Sequence, residues 1–314
     1  MQIIDFTKEW LPQAVRLAAE NYAETRAAVP ALPDAPIPPL DHFAENGMGV
    51  AAVENGTLLG FLGGFNPWGP VYCTPDTMGV YSPLHAHGVQ KENRVKIWQR
   101  LYQAAGAKWA AAGAASHAIT LYAHDIDAQR ALYFYGFGTR CADFMRPLTD
   151  IDAPCPPGLR FAELPAAESA RLRPLRRALA DHLGTSPCFM LHTPEGMDDF
   201  LDRREQDPPR MFAAFDGDTP IAYIELDDEG ETFASCAPGT GNICGAYCLP
   251  AYRGQKIAQA LLQHIVKTLR DEGAVRLGVD CETFNPTAMG FWSKYFAPYT
   301  TSVVRRIDEN AVLF

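Results

Sequence analysis

A mixed α/β fold in two domains, each built on a mixed α+β sheet, is what the sequence predicts, and three observations carry that expectation. Strand and helix patterns alternate along the chain, with one hairpin in each half. The two halves run through a similar order of elements, as a tandem duplication does. Pro147, Pro154, Pro156 and Pro157 with Gly158 read as a linker near the midpoint, dividing residues 1–150 from residues 157–314. With 314 residues in all, each part is long enough to bury its own core.

The first half offers a strand at residues 2–6, a helix within 11–28, and strands at 50–54 and 58–65. Between helix and strands, Pro30, Pro33, Pro36, Pro38 and Pro39 crowd a segment that must be a loop, because proline continues neither a helix nor a central strand. A strand near 79–82, a long helix within 90–112 and a strand at 118–123 follow. A helix from Asp127 and a strand near 142–146 close the half.

The second half opens with a strand at 159–164 and a helical pattern over 166–183. Thr193-Pro194-Glu195 starts another helix, with Thr as N-cap and Pro at the first helical position. Residues 210–215, the turn Asp216-Gly217-Asp218 and residues 220–226 make a hairpin. Residues 242–249 are a mostly apolar and therefore buried strand. After it, Ile257, Leu261 and Ile265 recur at spacing four, with Leu262, Val266 and Leu269 in the adjoining row. That is a helix with a wide apolar face, stopped near Gly273. Val275, Leu277, Val279 and Cys281 alternate as a strand, and Asn285-Pro286 starts a last helix.

Charge and composition narrow the function. The 27 Lys and Arg against 37 Asp and Glu give a formal charge of −10, which repels phosphate backbones and makes nucleic acid a poor partner. No apolar run reaches the roughly 18–20 residues that span a bilayer. Residues 1–10, with Asp5 and Glu9, lack the basic-then-apolar order of a signal peptide, so a cytoplasmic protein with no membrane partner is expected. The cysteines (Cys73, Cys141, Cys155, Cys188, Cys236, Cys244, Cys248 and Cys281) include no Cys-x-x-Cys pair and are too sparse for a disulfide scaffold. Cys244 and Cys248 lie in an apolar segment and read as core packing rather than zinc ligands. His85 and His87, flanking Ala86 in an expected loop, are a weak metal signal, and no metal is expected.

The most informative segment is Ala246-Tyr247-Cys248-Leu249-Pro250-Ala251-Tyr252-Arg253-Gly254-Gln255-Lys256-Ile257-Ala258. An apolar strand runs through a short loop straight into the amphipathic helix. The first N–H groups of that helix have no intrahelical partner and sit at its positive end, an arrangement that binds phosphate where small residues let it approach. Gly254 and Ala258 provide room, and Arg253 and Lys256 add charge.

This segment resembles the acyl-CoA pyrophosphate loop of the GNAT superfamily of N-acetyltransferases, Arg/Gln-x-x-Gly-x-Gly/Ala. Arg253 and Ala258 match its first and last positions, while Lys256 stands where the family has Gly. Downstream, Asn285, Ala288 and Phe291 match the family's cofactor-contacting Asn and the helix after it. The resemblance covers about residues 159–307 with fair specificity and 1–148 weakly. It implies two tandem GNAT-like domains, with acetyl-CoA held by Cys248, Leu249, Arg253, Gly254, Gln255, Lys256, Ile257, Ala258 and Asn285. Aligning Pro83 with Pro250 puts Ala86 opposite Arg253, followed by His87-Gly88-Val89-Gln90. The cation and the small-residue pattern are lost there, although Ala128 and Gly136-Phe137 keep the family spacing. A degenerate first domain and one active site per chain, in the second, are expected.

The activity so implied is transfer of an acetyl group from acetyl-CoA, without a metal, to a primary amine of a small molecule or peptide. Backbone N–H groups at a splayed strand, Cys248 and its neighbours, would stabilise the oxyanion. Many members place a tyrosine general acid where this chain has Trp292, so Tyr295, three residues on, is the substitute candidate. Residues 291–296 read equally as an aromatic core plug. Residues 243–249 contain no carboxylate, so Glu225 is the best candidate base, followed by Asp227. A different acyl-CoA, a non-catalytic acyl-CoA sensor and a homodimer stay open, and no motif names the acceptor.

Overall fold

The computed structural model describes residues 1–72 and 74–313, so Cys73 lies outside the described residues. The chain forms two compact units, each discontinuous in sequence. The first comprises Met1–Asp143, Thr232–Ala234 and Pro298–Phe314, and the second Phe144–Glu231 and Ser235–Ala297.

The first half of the chain runs β1 (Gln2–Asp5), α1 (Leu11–Ala28), α2 (Asp41–Glu45), β2 (Val50–Glu54), β3 (Thr57–Leu62), β4 (Gly79–Ser82), β5 (His87–Val89), α3 (Arg94–Ala111), β6 (Ser116–Tyr122), α4 (Ile126–Tyr133) and β7 (Gly138–Pro147). Strands β1, β2, β3 and β5 make an antiparallel sheet in that order. Strand β4 pairs in parallel with β6 instead. Residues 79–89 thus leave one sheet and join another, with Pro83, which lacks an N–H, at the break. Trp98, Trp109, Leu101 and Ile119 are buried in the core of this unit.

The second half runs β8 (Leu159–Leu164), α5 (Arg173–Gly184), α6 (Pro194–Gln206), β9 (Arg210–Asp216), β10 (Thr219–Asp227), β11 (Thr240–Cys248), α7 (Ile257–Asp271), β12 (Arg276–Glu282), α8 (Pro286–Trp292), β13 (Ala297–Pro298), β14 (Thr300–Arg306) and α9 (Asn310–Leu313). The helix expected over 166–183 begins as a 3-10 turn, Ala166–Leu172. The α-helix starts only at Arg173, because Pro174 fits a first turn and not an interior. Strands β8 to β11 form an antiparallel ladder, and β12 adds in parallel. The apolar row of α7 (Ile257, Leu261, Leu262, Ile265, Val266 and Leu269) is buried, each such side chain contributing about 1.5–3 kcal/mol relative to exposure.

Strand β14 was not among the strands expected from the sequence. It belongs to the first unit, antiparallel to β6 from Thr300–Tyr122 to Arg306–Ser116, and it also pairs with β7. Its run Thr300-Thr301-Ser302-Val303-Val304 is largely β-branched, which was the available signal.

Candidate active site

The site originates where β11 parts from β12. Their parallel ladder runs from Thr240–Arg276 to Ile243–Val279 and stops, although β11 continues to Cys248 and β12 to Glu282. A bulge sits at the same point: Glu225 opposes Gly245 and Leu226 opposes Ile243, which leaves Cys244 as an extra residue. Beyond Ile243 the edge of β11 that faced β12 carries backbone groups without a ladder partner there, available to something other than a strand.

A cavity of about 240 Å³ opens beside this edge. Of the residues implied as cofactor-binding, Cys248, Arg253, Gly254, Lys256, Ile257, Ala258 and Asn285 line it. Leu249 and Gln255 do not. Leu249 packs on the β-sheet core and its N–H donates to Ile221 O at 3.0 Å, while Gln255 Nε2 donates to Ala251 O at 3.0 Å. Ala222, Ile224, Leu261, Phe291 and Trp292 supply apolar wall.

The loop geometry explains the residue types. Gly254 has φ +77°, and a Cβ there would meet nothing within 4 Å, so the loop is open on that side. Lys256, the N-cap of α7, is also left-handed at φ 61°, a conformation that costs a non-glycine residue about 1–2 kcal/mol. That is the physical reason a glycine suits this position. No side chain caps α7, so its first N–H groups point outward at the positive end of a 15-residue helix. Arg253 Nε donates to Cys248 O at 3.0 Å, and its guanidinium lies 5.2 Å from the centre of the Tyr247 ring. Open glycine, uncapped helix start and two cations fit an anionic group, and the apolar walls fit a slender chain attached to it.

Asn285 is buried at the N-cap of α8, its Oδ1 accepting from Ala288 N at 3.3 Å and from Thr287 Oγ1 at 2.7 Å. His182 of α5 lines the same cavity, with Nε2 3.2 Å from Thr287 Oγ1 and its ring 6.3 Å from that of Tyr247. The sequence reading missed His182. No motif marks it, and only the packing of α5 beside β11 brings it in.

The acid and base candidates lie outside the cavity lining. Glu225 is buried in an ion pair with Arg176, Nη2 to Oε1 2.6 Å, and both residues are 2% exposed. Arg176 Nε donates to the same oxygen at 2.8 Å, and its other donors meet Ser169 O, Ser169 Oγ and Met211 Sδ. Its Oε1 thus serves as the counter-charge of a buried guanidinium. Asp227 is half-buried, 3.7 Å from Arg204 Nη1. Tyr295 meets Phe291 at a tilt, ring centres 5.2 Å apart, beyond the end of α8, while buried Trp292 and half-buried Phe291 themselves face the cavity. Trp292 and Phe296 meet edge to face at 5.5 Å, an aromatic plug.

The first unit contains the same two helix starts with the gap between them filled. Asn93, N-cap of α3, is left-handed at φ 58° like Lys256, and Asp125 caps α4 through Ala128 N as Asn285 caps α8. Matching the helix starts places Gln90, rather than Ala86, opposite Arg253, which corrects the alignment made on Pro83. Arg94, in the position of Ile257, is buried and bonds Asp125 Oδ2 (3.3 Å), Glu24 Oε2 (3.1 Å) and Val89 O (3.0 Å). A buried ion pair thus joins the two helix starts that frame a cavity in the second unit. His87 is likewise internal, its Nε2 2.7 Å from Thr120 O. Among the described residues, no group of three or more His, Cys, Asp or Glu side chains could hold a metal ion.

Residues 178–297 match the family model described as acetyltransferase (GNAT) family. A search of curated proteins found no match. Among solved structures, the chain is similar to a GCN5-related N-acetyltransferase from Sphaerobacter thermophilus, at 15% identity over 97% of this chain and 95% of that one, with TM-score 0.57. A GNAT-family acetyltransferase from Colwellia psychrerythraea is similar at 13% identity over 98% and 100% of the two chains, TM-score 0.51. The third is a GCN5-related glucosamine N-acetyltransferase region of a fungal multi-domain GH3 β-N-acetylglucosaminidase, at 13% identity, 96% of this chain and TM-score 0.53. Only 38% of that longer chain is covered. At these identities the likeness establishes the fold, and it extends over both halves of the chain.

Proposed function

Because residues 178–297 match the acetyltransferase (GNAT) family model, we propose that the second unit is an N-acetyltransferase, passing an acetyl group from acetyl-CoA to a primary amine of a small molecule or peptide. The observation that carries the reading is the uncapped, left-handed start of α7 at Gly254 and Lys256, facing the cavity that Asn285 closes from α8. Bound acetyl-CoA would supply the activated thioester. The α7 N–H groups with Arg253 and Lys256 would hold its pyrophosphate, and Asn285 with the apolar walls would orient the arm between β11 and α8. Unpaired backbone N–H groups of β11 past Ile243 would polarise the acyl carbonyl, and the two reactants held side by side would supply much of the rate.

A net charge of −10 favours an amine over a nucleic-acid partner, and the reading places the enzyme in the cytoplasm. No helix among the described residues is long and apolar enough to cross a membrane. Two observations favour a second reading, an acyl-CoA sensor: no carboxylate lines the cavity, and Trp292 takes the place of the usual acid.

Titration calorimetry with CoA, followed by acetyl-CoA turnover against a panel of primary amines, tests both. About one CoA per chain with turnover supports the enzyme, and binding without turnover supports the sensor. Two equivalent sites would show that the Arg94–Asp125 pair does not close the first unit.

A further inference from the structure

The cavity is bordered by seven titratable side chains: Tyr223 of β10, Tyr247 and Cys248 of β11, Tyr252, Arg253 and Lys256 of the loop, and His182 of α5. Burial drives the Tyr223 phenol and the Cys248 thiol upward, and the hydrogen bond to Asp216 does the same for Tyr252. Phenols and thiols hold their protons near neutrality, and Arg and Lys are already cations. Asp181, next along α5, is exposed and does not line the cavity. An imidazole is the one group in this set suited to take up a proton near neutral pH.

The hydrogen bonds around His182 define which nitrogen is bare. Asn285 Oδ1 accepts the backbone N–H of Ala288, which identifies that atom as the oxygen. The Thr287 hydroxyl donates its single proton to the same oxygen at 2.7 Å, so it turns a lone pair toward His182 Nε2, 3.2 Å away. Only an Nε2–H donates to a lone pair. The neutral ring therefore carries its proton on Nε2 and leaves Nδ1 as the acceptor.

Resting on the acyl-transfer reading above, we propose that His182 accepts the proton of the substrate amine at Nδ1, and that Thr287 and Asn285 are positioning residues that hold it in the competent tautomer. The amine nitrogen bonds to the thioester carbonyl carbon, and the C–S bond breaks with its electron pair going to sulfur. The amine proton passes to Nδ1, directly or through one water. The imidazolium then protonates the thiolate and returns to its neutral state, so no further reactant is needed.

The test combines two variants and three readouts on the full chain. His182→Gln should lower kcat for acetyl transfer from acetyl-CoA to the best acceptor of a primary-amine panel by about 10²–10⁴. It should also leave CoA affinity by calorimetry within about threefold, since the imidazole is assigned to proton transfer rather than cofactor binding. Thr287→Val should cost about tenfold in kcat and move the ring away from pure Nε2–H in long-range proton–nitrogen spectra of histidine-labelled protein. A folded His182→Gln variant with wild-type kcat, or a wild-type spectrum with the proton on Nδ1, overturns the proposal. A wild-type protein that does not bind CoA, or that binds it and acetylates no amine, overturns the acyl-transfer reading beneath it instead.

Discussion

Replacing Glu225 separates a structural carboxylate from a catalytic one. Glu225 and Arg176 are each 2% exposed, and Glu225 Oε1 receives both Nη2 (2.6 Å) and Nε (2.8 Å) of the arginine. Glu225→Ala leaves a guanidinium buried without its counter-charge, which costs about 3–5 kcal/mol. Against a typical domain stability of about 5–15 kcal/mol, that is a large fraction. Glu225→Gln keeps an oxygen for Arg176 Nε and loses only the charge, so about 1–3 kcal/mol is expected. Replacing both partners by Leu removes two desolvation penalties together and should return stability to within about 1–2 kcal/mol of wild type. Urea unfolding followed by circular dichroism measures all three, with acetyl transfer assayed under conditions where each variant is folded. A Glu225→Gln protein with wild-type stability and a hundredfold slower transfer would refute the structural assignment and restore Glu225 as the base.

Arg253→Ala should weaken CoA binding by about 1.5–3 kcal/mol, the scale of hydrogen bonds to charged groups, as read by calorimetry. Gly254→Val should do at least as much by forcing a β-branched residue to φ +77° and filling the open side of the loop, with the domain still folded; unchanged affinity in both variants would make the loop a mere connection. Tyr295→Phe should leave turnover within about twofold, since its ring packs on Phe291 outside the cavity, whereas a fall of tenfold or more would make it the acid. Burial lowers His87 and His117 to about 4, while an unfolded histidine titrates near the ordinary 6.5. The unfolded chain then binds more protons between these values, so stability is complete above about pH 6.5 and is lost as pH falls toward 4, by about 3 kcal/mol per histidine. An unfolding midpoint that stays flat from pH 7 to 4.5 would contradict this.

Sequence alone determined whatever depends on neighbours along the chain. The spacing of Ile257, Leu261 and Ile265 made α7, and Arg253-Gly254 before it marked a helix start able to receive an anion. Asn285-Pro286 likewise announced a cap, because capping is a contact across three residues. Tertiary structure decided the pairings between distant residues. Glu225 could be ranked as a base only while Arg176, 49 positions away, was unseen beside it. Arg94 reads as an ordinary helix residue until Asp125 and Glu24 converge on it. His182 has no motif and reaches the cavity only because α5 packs along β11, against a Thr287 whose proton is already committed to Asn285. Local periodicity and capping are short-range and leave a trace in order of residues; the partner of a buried charge is chosen by packing, which the order of residues does not display.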